Sequence, residues 1–218
     1  MNEILAKQLA IDFCTDVNSI LSKENVFTEY KQLEGRRIFK EGECYFKAAS
    51  VNGKIVASGR KDIIQWAREK FKTENGAWFM DMGCLHKVEE GLLRFQCRIG
   101  QAHPFYRGDK RFGEAFIFDG LPKDEIGIGA YKDGRLLGMA GATSDSDRMW
   151  QIGINVMPEA EGLGIGTMLV AAIKNEILDK NRLPFYGTAM SHIASQRVAL
   201  GAGFVPAWSE LYCEAIER

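Results

Sequence analysis

The 218-residue sequence predicts an α/β (α+β) fold in two domains, 1–100 and 101–218. Three observations carry that expectation. Asn52-Gly53 and Asp133-Gly134 each sit between β-rich runs, and such dipeptides mark tight hairpins because both turn residues take positive φ. The second half then alternates strand-like and helix-like segments. Finally, EGLGIGTMLVAAI, Glu161 to Ile173, spaces its glycines at alternate positions directly before an apolar, Pro-free stretch, as a strand-to-helix turn would.

Along the chain, Ile4, Leu5, Leu9, Phe13, Val17, Ile20 and Leu21 recur every three or four positions, predicting one amphipathic helix over 4–21. CYFKAASV and KIVAS form the first hairpin, at about 44–58. A helix from Asp62 to Phe71 presents Ile63, Ile64, Ala67 and Phe71 on one face, and a shorter one runs from Leu85 to Phe95. The first hundred residues thus read as an α+β domain. EIGIGAYKDGRLLGMAGATS is the second hairpin, and MWQIGINVM is a third strand after the polar turn Asp145-Ser146-Asp147. Pro158, the glycine run, a helix to about Lys180, the strand PFYGTAM, a short helix through VALGAG and a strand around WSELYC complete the order β-β-β-α-β-α-β.

Composition narrows the function classes. With 46% apolar residues, 26% charged residues and a formal charge of −1, nothing calls for a nucleic-acid partner. No apolar run approaches the ~18 residues of a membrane helix, and MNEILAKQLAIDFCTD carries acidic residues where a secretion signal would be basic. A cytoplasmic location without membrane attachment is expected. Cys14, Cys44, Cys84, Cys97 and Cys213 are scattered without a C-x-x-C pair, and read as reduced thiols. His86, His103 and His192 lack metal-ligand spacing, so no metal is expected.

A helix N-terminus offers unpaired N–H groups and a partial positive charge, which suits the glycine run to phosphate; a tight turn packing a helix on a sheet explains the same glycines. The run has neither the Lys-Ser/Thr of a P-loop nor G-x-G-x-x-G spacing, so neither ATP nor NAD is indicated.

The longer stretch INVMPEAEGLGIGTMLV closely resembles the acetyl-CoA-binding motif of the GCN5-related N-acetyltransferase superfamily. Downstream, His192-Ile193-Ala194-Ser195-Gln196-Arg197-Val198-Ala199-Leu200-Gly201-Ala202-Gly203-Phe204 echoes that family's N-x-x-A-x-x-L-Y-E-K-L-G-F pattern, with the closing Gly-Phe in register. The resemblance covers about 125–218. It implies a mixed, mostly antiparallel sheet flanked by helices, and acetyl-CoA as co-substrate without a metal. The loop that meets the cofactor's pyrophosphate would comprise Glu161, Gly162, Leu163, Gly164, Ile165, Gly166 and Thr167. The pantetheine arm would lie against Asn155, Val156 and Met157, with His192 and Ser195 also at the cofactor.

Two departures bear on chemistry. Glu161 replaces the family's Gln or Arg, and a carboxylate repels pyrophosphate, so backbone N–H groups of Leu163 to Thr167 are expected to do the holding. The tyrosine that protonates the leaving thiolate falls at Ala199. A thiol of pKa ~8.5 is a fair leaving group, whereas an amine near ~10 must first shed a proton, so the base matters more than the acid. Tyr186, Tyr212 and His192 are the acids to consider. For the base, Asp145 and Asp147 lie in the turn before the motif strand, Gln151 and Asn155 can orient a water, and His192 has a suitable intrinsic pKa.

The resemblance implies acetyl transfer to the primary amine of a small molecule by direct attack in a ternary complex, with the N-terminal domain supplying specificity or a homodimer contact. The other reading is a non-catalytic acyl-CoA-binding module, which the missing tyrosine favours. RGDKRFGEAFIFDGLP leaves room for one short helix where the family has a strand and two helices. Either RIGQAHPFY is that first strand, or the N-terminal domain completes the pocket, or natural residues are absent between Tyr106 and Arg107.

Overall fold

The computed structural model describes residues 1–37, 44–108 and 124–216. Most of RGDKRFGEAFIFDGLP lies outside them, so the alternatives left at that stretch stay open. The described chain forms two units: Met1–Pro104 with Ala207–Arg218, and Phe105–Pro206. The boundary expected between 100 and 101 therefore falls inside a strand, and residues 207–216 return to the first unit.

In the first unit, α1 (Glu3–Asp12) and α2 (Val17–Leu21) replace the single helix expected over 4–21. The break has a local cause. Cys14 takes φ 52°, and the Asp16 carboxylate accepts the Ser19 N–H at 2.9 Å to start a new helix. A short strand that periodicity did not reveal, β1 (Val26–Glu29), runs parallel to β3 (Lys54–Gly59). β2 (Phe46–Val51) and β3 form the expected hairpin, with Asn52 at φ 51° and Gly53 at φ 75°. α3 (Lys61–Phe71) buries Ile63, Ile64, Ala67 and Phe71, the face read from the sequence. α4 (Met82–Leu93) starts earlier than expected because the Asp81 carboxylate caps it through the Cys84 N–H.

β4 (Cys97–Gly108) contains RIGQAHPFY and begins in this unit. The core joins Phe46, Ala48, Ile55 and Ala57 of the sheet to Ile63, Phe71, Val88 and Leu92 of the helices, and to Leu211 from the end of the chain.

In the second unit, β5 (Asp124–Lys132) and β6 (Arg135–Thr143) form the second expected hairpin around Asp133 at φ 50° and Gly134 at φ 75°. β6 pairs antiparallel with β7 (Met149–Val156). A 3₁₀ turn at Pro158–Ala160 leads to α5 (Ile165–Asp179), then β8 (Leu183–Gly187), α6 (Ile193–Gly201) and β9 (Phe204–Ala215). The strand order is β4-β8-β7-β6-β5, antiparallel except where β7 and β8 run parallel. The fold is thus mixed, its sheet mostly antiparallel and flanked by helices. Ile126, Ile128, Ala140 and Ile152 of the sheet pack on Leu169, Val170, Ile173 and Ile177 of α5 and on Ala199 and Ala202. α6 begins five residues before the VALGAG helix expected from the sequence.

β9 ends in the first unit, where Ala48↔Leu211 lies in its antiparallel ladder with β2. There Arg37, 2% exposed, bonds Asp12 and reaches Glu210 at 3.0 Å. Glu210 also accepts from Trp208 Nε1 and Tyr212 Oη. Burial works against the guanidinium's charge, but the two carboxylates outweigh it and hold Arg37 protonated. No described helix is long and apolar enough to cross a membrane.

Candidate functional site

Two parallel strands that part company define the site. β7 and β8 pair only at Met149↔Leu183, Trp150↔Pro184 and Gln151↔Phe185, although β7 continues to Val156 and β8 to Gly187. β8 stays paired to β4 through Gly187, and β7 to β6 through Val156, so an opening separates the strand ends. The ladder decides which backbone groups face it. Met157 N–H donates to Leu137 C=O at 2.9 Å, and the alternation of an antiparallel ladder then commits the N–H of Asn155 to β6 as well. The N–H groups of Ile154 and Val156 face the opening. Of the trio Asn155, Val156 and Met157, only Val156 therefore turns its N–H that way.

The glycine run follows at the same end of β7, and its glycines differ in role. Gly162 at φ 75° and Gly164 at φ 78° occupy the left-handed region, and a Cβ at either would meet nothing within 4 Å. Gly166 is instead packed: a Cβ there would stand 3.3 Å from Val156 Cγ2 and 3.4 Å from Val198 Cγ2. It lets α5 approach β7 and α6. Gly164 occupies the N-cap of α5 without a side-chain cap, and the first helical bond is Met168 N–H to Gly164 C=O at 3.0 Å. The N–H groups of Ile165, Gly166 and Thr167 thus precede the helical ladder and form the positive end of the α5 dipole. Leu163 is exposed, and so is Glu161, which closes the 3₁₀ turn ahead of the glycines. This bare, donor-rich turn beside a strand opening fits a pyrophosphate joined to an extended arm.

The side chains divide by position. Tyr186 on β8 is 2% exposed and shares a 2.8 Å hydrogen bond with Ser195 Oγ in the first turn of α6. Burial pushes its phenol up, against a smaller opposing effect of the Ser195 bond, so the hydroxyl keeps its proton. Sequence reasoning named both residues but not their contact. His192 takes the N-cap position of α6, exposed and with no capping hydrogen bond from its side chain. Asp147 lies exposed in the turn before β7, and the 8 residues of that strand, at about 3.3 Å each, separate it from the glycine run. Asp145, in the same turn, accepts from Thr143 Oγ1 at 3.0 Å. Tyr212 belongs to the first unit and donates to Glu210. Ala199 is fully buried in the second unit's core. Among the described residues, no group of three His, Cys, Asp or Glu side chains could hold a metal.

Comparison with known proteins bears on this arrangement. The model of the Acetyltransferase (GNAT) family matches residues 94–204 and does not extend over residues 1–93. No curated protein matches the chain. Among solved structures, the chain is similar to a putative acetyltransferase from the GNAT family of Novosphingobium aromaticivorans, at 16% identity and TM-score 0.44 over 56% of this chain and 69% of that one. It is also similar to an acetyltransferase from the GNAT family of Colwellia psychrerythraea, at 12% and 0.45 over 58% and 60%. A third is a GCN5-related N-acetyltransferase of Kribbella flavida, at 11% and 0.46 over 59% and 63%.

Proposed function

We propose, for a chain that belongs to the Acetyltransferase (GNAT) family, that it moves the acetyl group of acetyl-CoA to the primary amine of a small molecule by direct attack. The observation that carries this reading is the parting of β7 and β8 after Gln151 and Phe185, beside the uncapped glycine turn at α5. A turn with left-handed Gly162 and Gly164 exposes N–H groups to a pyrophosphate, and the strand opening accommodates the arm leading to the thioester. Attack on the thioester carbonyl builds an oxyanion, and the N–H groups of Ile154 and Val156, turned into the opening, are the donors positioned to stabilise it.

Proton movement is assigned to groups near the head of α6. His192, exposed and free of capping bonds, takes the proton of the attacking amine. Ser195 lies one turn before Ala199 on the same helix and hands its proton to the departing thiolate, backed by the Tyr186 hydroxyl 2.8 Å away. This pair replaces the tyrosine that the family places at Ala199.

A second reading, an acyl-CoA-binding module without turnover, is favoured by Ala199 itself. Release of free thiol from acetyl-CoA against a broad panel of primary amines separates the two. Acceptor-stimulated release is expected; saturable acetyl-CoA binding with release unchanged by every amine supports the module instead.

A further inference from the structure

The first unit contains a lysine with a largely buried side chain, Lys47 on β2, which is 3% exposed and whose ammonium has no hydrogen-bond or ion-pair partner among the described residues. Its surroundings are aromatic: Nζ lies 4.9 Å from the centre of the Phe13 ring and 5.8 Å from that of Tyr30. Ring faces attract a cation, but they supply no oxygen to the three N–H donors of an ammonium. The acids of this region are committed elsewhere. Asp12 accepts from Gln8 and from the backbone and side chain of Arg37, and Glu210 from Arg37, Trp208 and Tyr212.

Two hydroxyls share the predicament. In the strand registers Lys47 pairs with Ser58, and Ser58 with Thr28, so the three share one face of the sheet, and Tyr30 follows two residues after Thr28 on that face. Ser58 is 0% exposed, and neither Ser58 Oγ nor Tyr30 Oη has a hydrogen-bond partner, although both atoms are buried. Thr28, by contrast, is satisfied through Phe13 C=O. Arg36 adds a second positive charge over the Tyr30 ring, 5.7 Å from its centre. A buried hydroxyl without a partner is costly, and two of them beside the Lys47 ammonium are a set of donors awaiting acceptor oxygens.

We propose that Lys47, Ser58 and Tyr30 form an anion site in the first unit that holds the carboxylate of a small molecule, with the Phe13 ring against its apolar part. A carboxylate matches the count: one negative charge for Lys47, and lone pairs on two oxygens for the ammonium and both hydroxyls. The site lies wholly in the first unit and is independent of acetyl transfer.

Acetate is the minimal probe. In amide NMR spectra of the full chain at constant ionic strength, acetate should shift Thr28, Lys47, Ser58 and Phe13 saturably, while chloride and methylammonium should not. Acetate at tens of millimolar should raise the Tm by about 3 °C over chloride. Lys47→Met should abolish that rise, and Ser58→Ala should reduce it. Absence of saturable shifts at these residues, an equal response to chloride, or an undiminished rise in folded Lys47→Met would overturn the proposal. The wild-type titration decides even if Lys47→Met does not fold.

Discussion

Glu161 shows how one residue can look wrong for its place and still be tolerated. It is exposed at the end of a 3₁₀ turn, while the N–H groups of Ile165, Gly166 and Thr167 lie beyond it at the mouth of α5. If backbone alone holds the pyrophosphate, removing the carboxylate removes only repulsion. Glu161→Gln is therefore expected to leave acetyl-CoA affinity unchanged or up to a few-fold tighter by calorimetry; a tenfold loss would mean that the side chain takes part. The Tyr186–Ser195 bond makes a second prediction at this scale. Tyr186→Phe and Ser195→Ala should each lower kcat about 10- to 100-fold with little change in KM for acetyl-CoA, and the double variant should be no worse than either single one. Additive losses would show that the two hydroxyls act separately. Each of these side chains was nameable from a motif or its chemistry, but their contact joins a strand to a helix and has no signature in sequence spacing.

Elements were legible wherever a local rule sets the backbone. Both hairpins were, because Asn-Gly and Asp-Gly impose their turns on the flanking strands. α3 was, because its apolar stripe keeps the helical period from Ile63 to Phe71. The first helix misled because the apolar period continues from Phe13 to Val17 while the backbone breaks between them. The signal for the break was present as Asp16-Val17-Asn18-Ser19, a cap followed three residues later by the N–H it binds. Asp16→Ala should lower the urea midpoint, and Asp16→Asn should lower it much less. Equal losses would place the effect in charge rather than in capping. β1 stayed hidden because four residues are too few to show alternation. The strand opening was equally invisible, for it depends on where two distant segments stop pairing. Only the family motif pointed to its location, and the ladder then selected Val156 over Asn155 and Met157.

At the scale of the molecule, ionisable groups are enclosed on a scale that composition did not disclose. Burial pushes the thiols of Cys44 and Cys84 from an ordinary 9 up to about 11. Between those values the unfolded chain has released protons that the folded chain still holds, so stability falls as pH rises through that window and is fully present below it. Urea midpoints should drop between pH 8.5 and 11 under reducing conditions, and Cys44→Ala should flatten the drop. An unchanged slope in that variant would assign the fall to the other raised groups, the thiols of Cys84, Cys97 and Cys213 and the phenols of Tyr30, Tyr186 and Tyr212.

The return of residues 207–216 to the first unit bears on how the protein is made. Leu211 belongs to that unit's core, and Glu210 is the second carboxylate on buried Arg37, yet both follow the whole of Phe105–Pro206 in the chain. At a ribosomal pace of about 5–20 residues per second, that separation amounts to roughly 5–20 s. For that interval the nascent N-terminal unit has an unpaired β2 edge and an Arg37 with one carboxylate instead of two. The half of the protein that is translated first thus cannot complete its sheet until the last strand, β9, has been made.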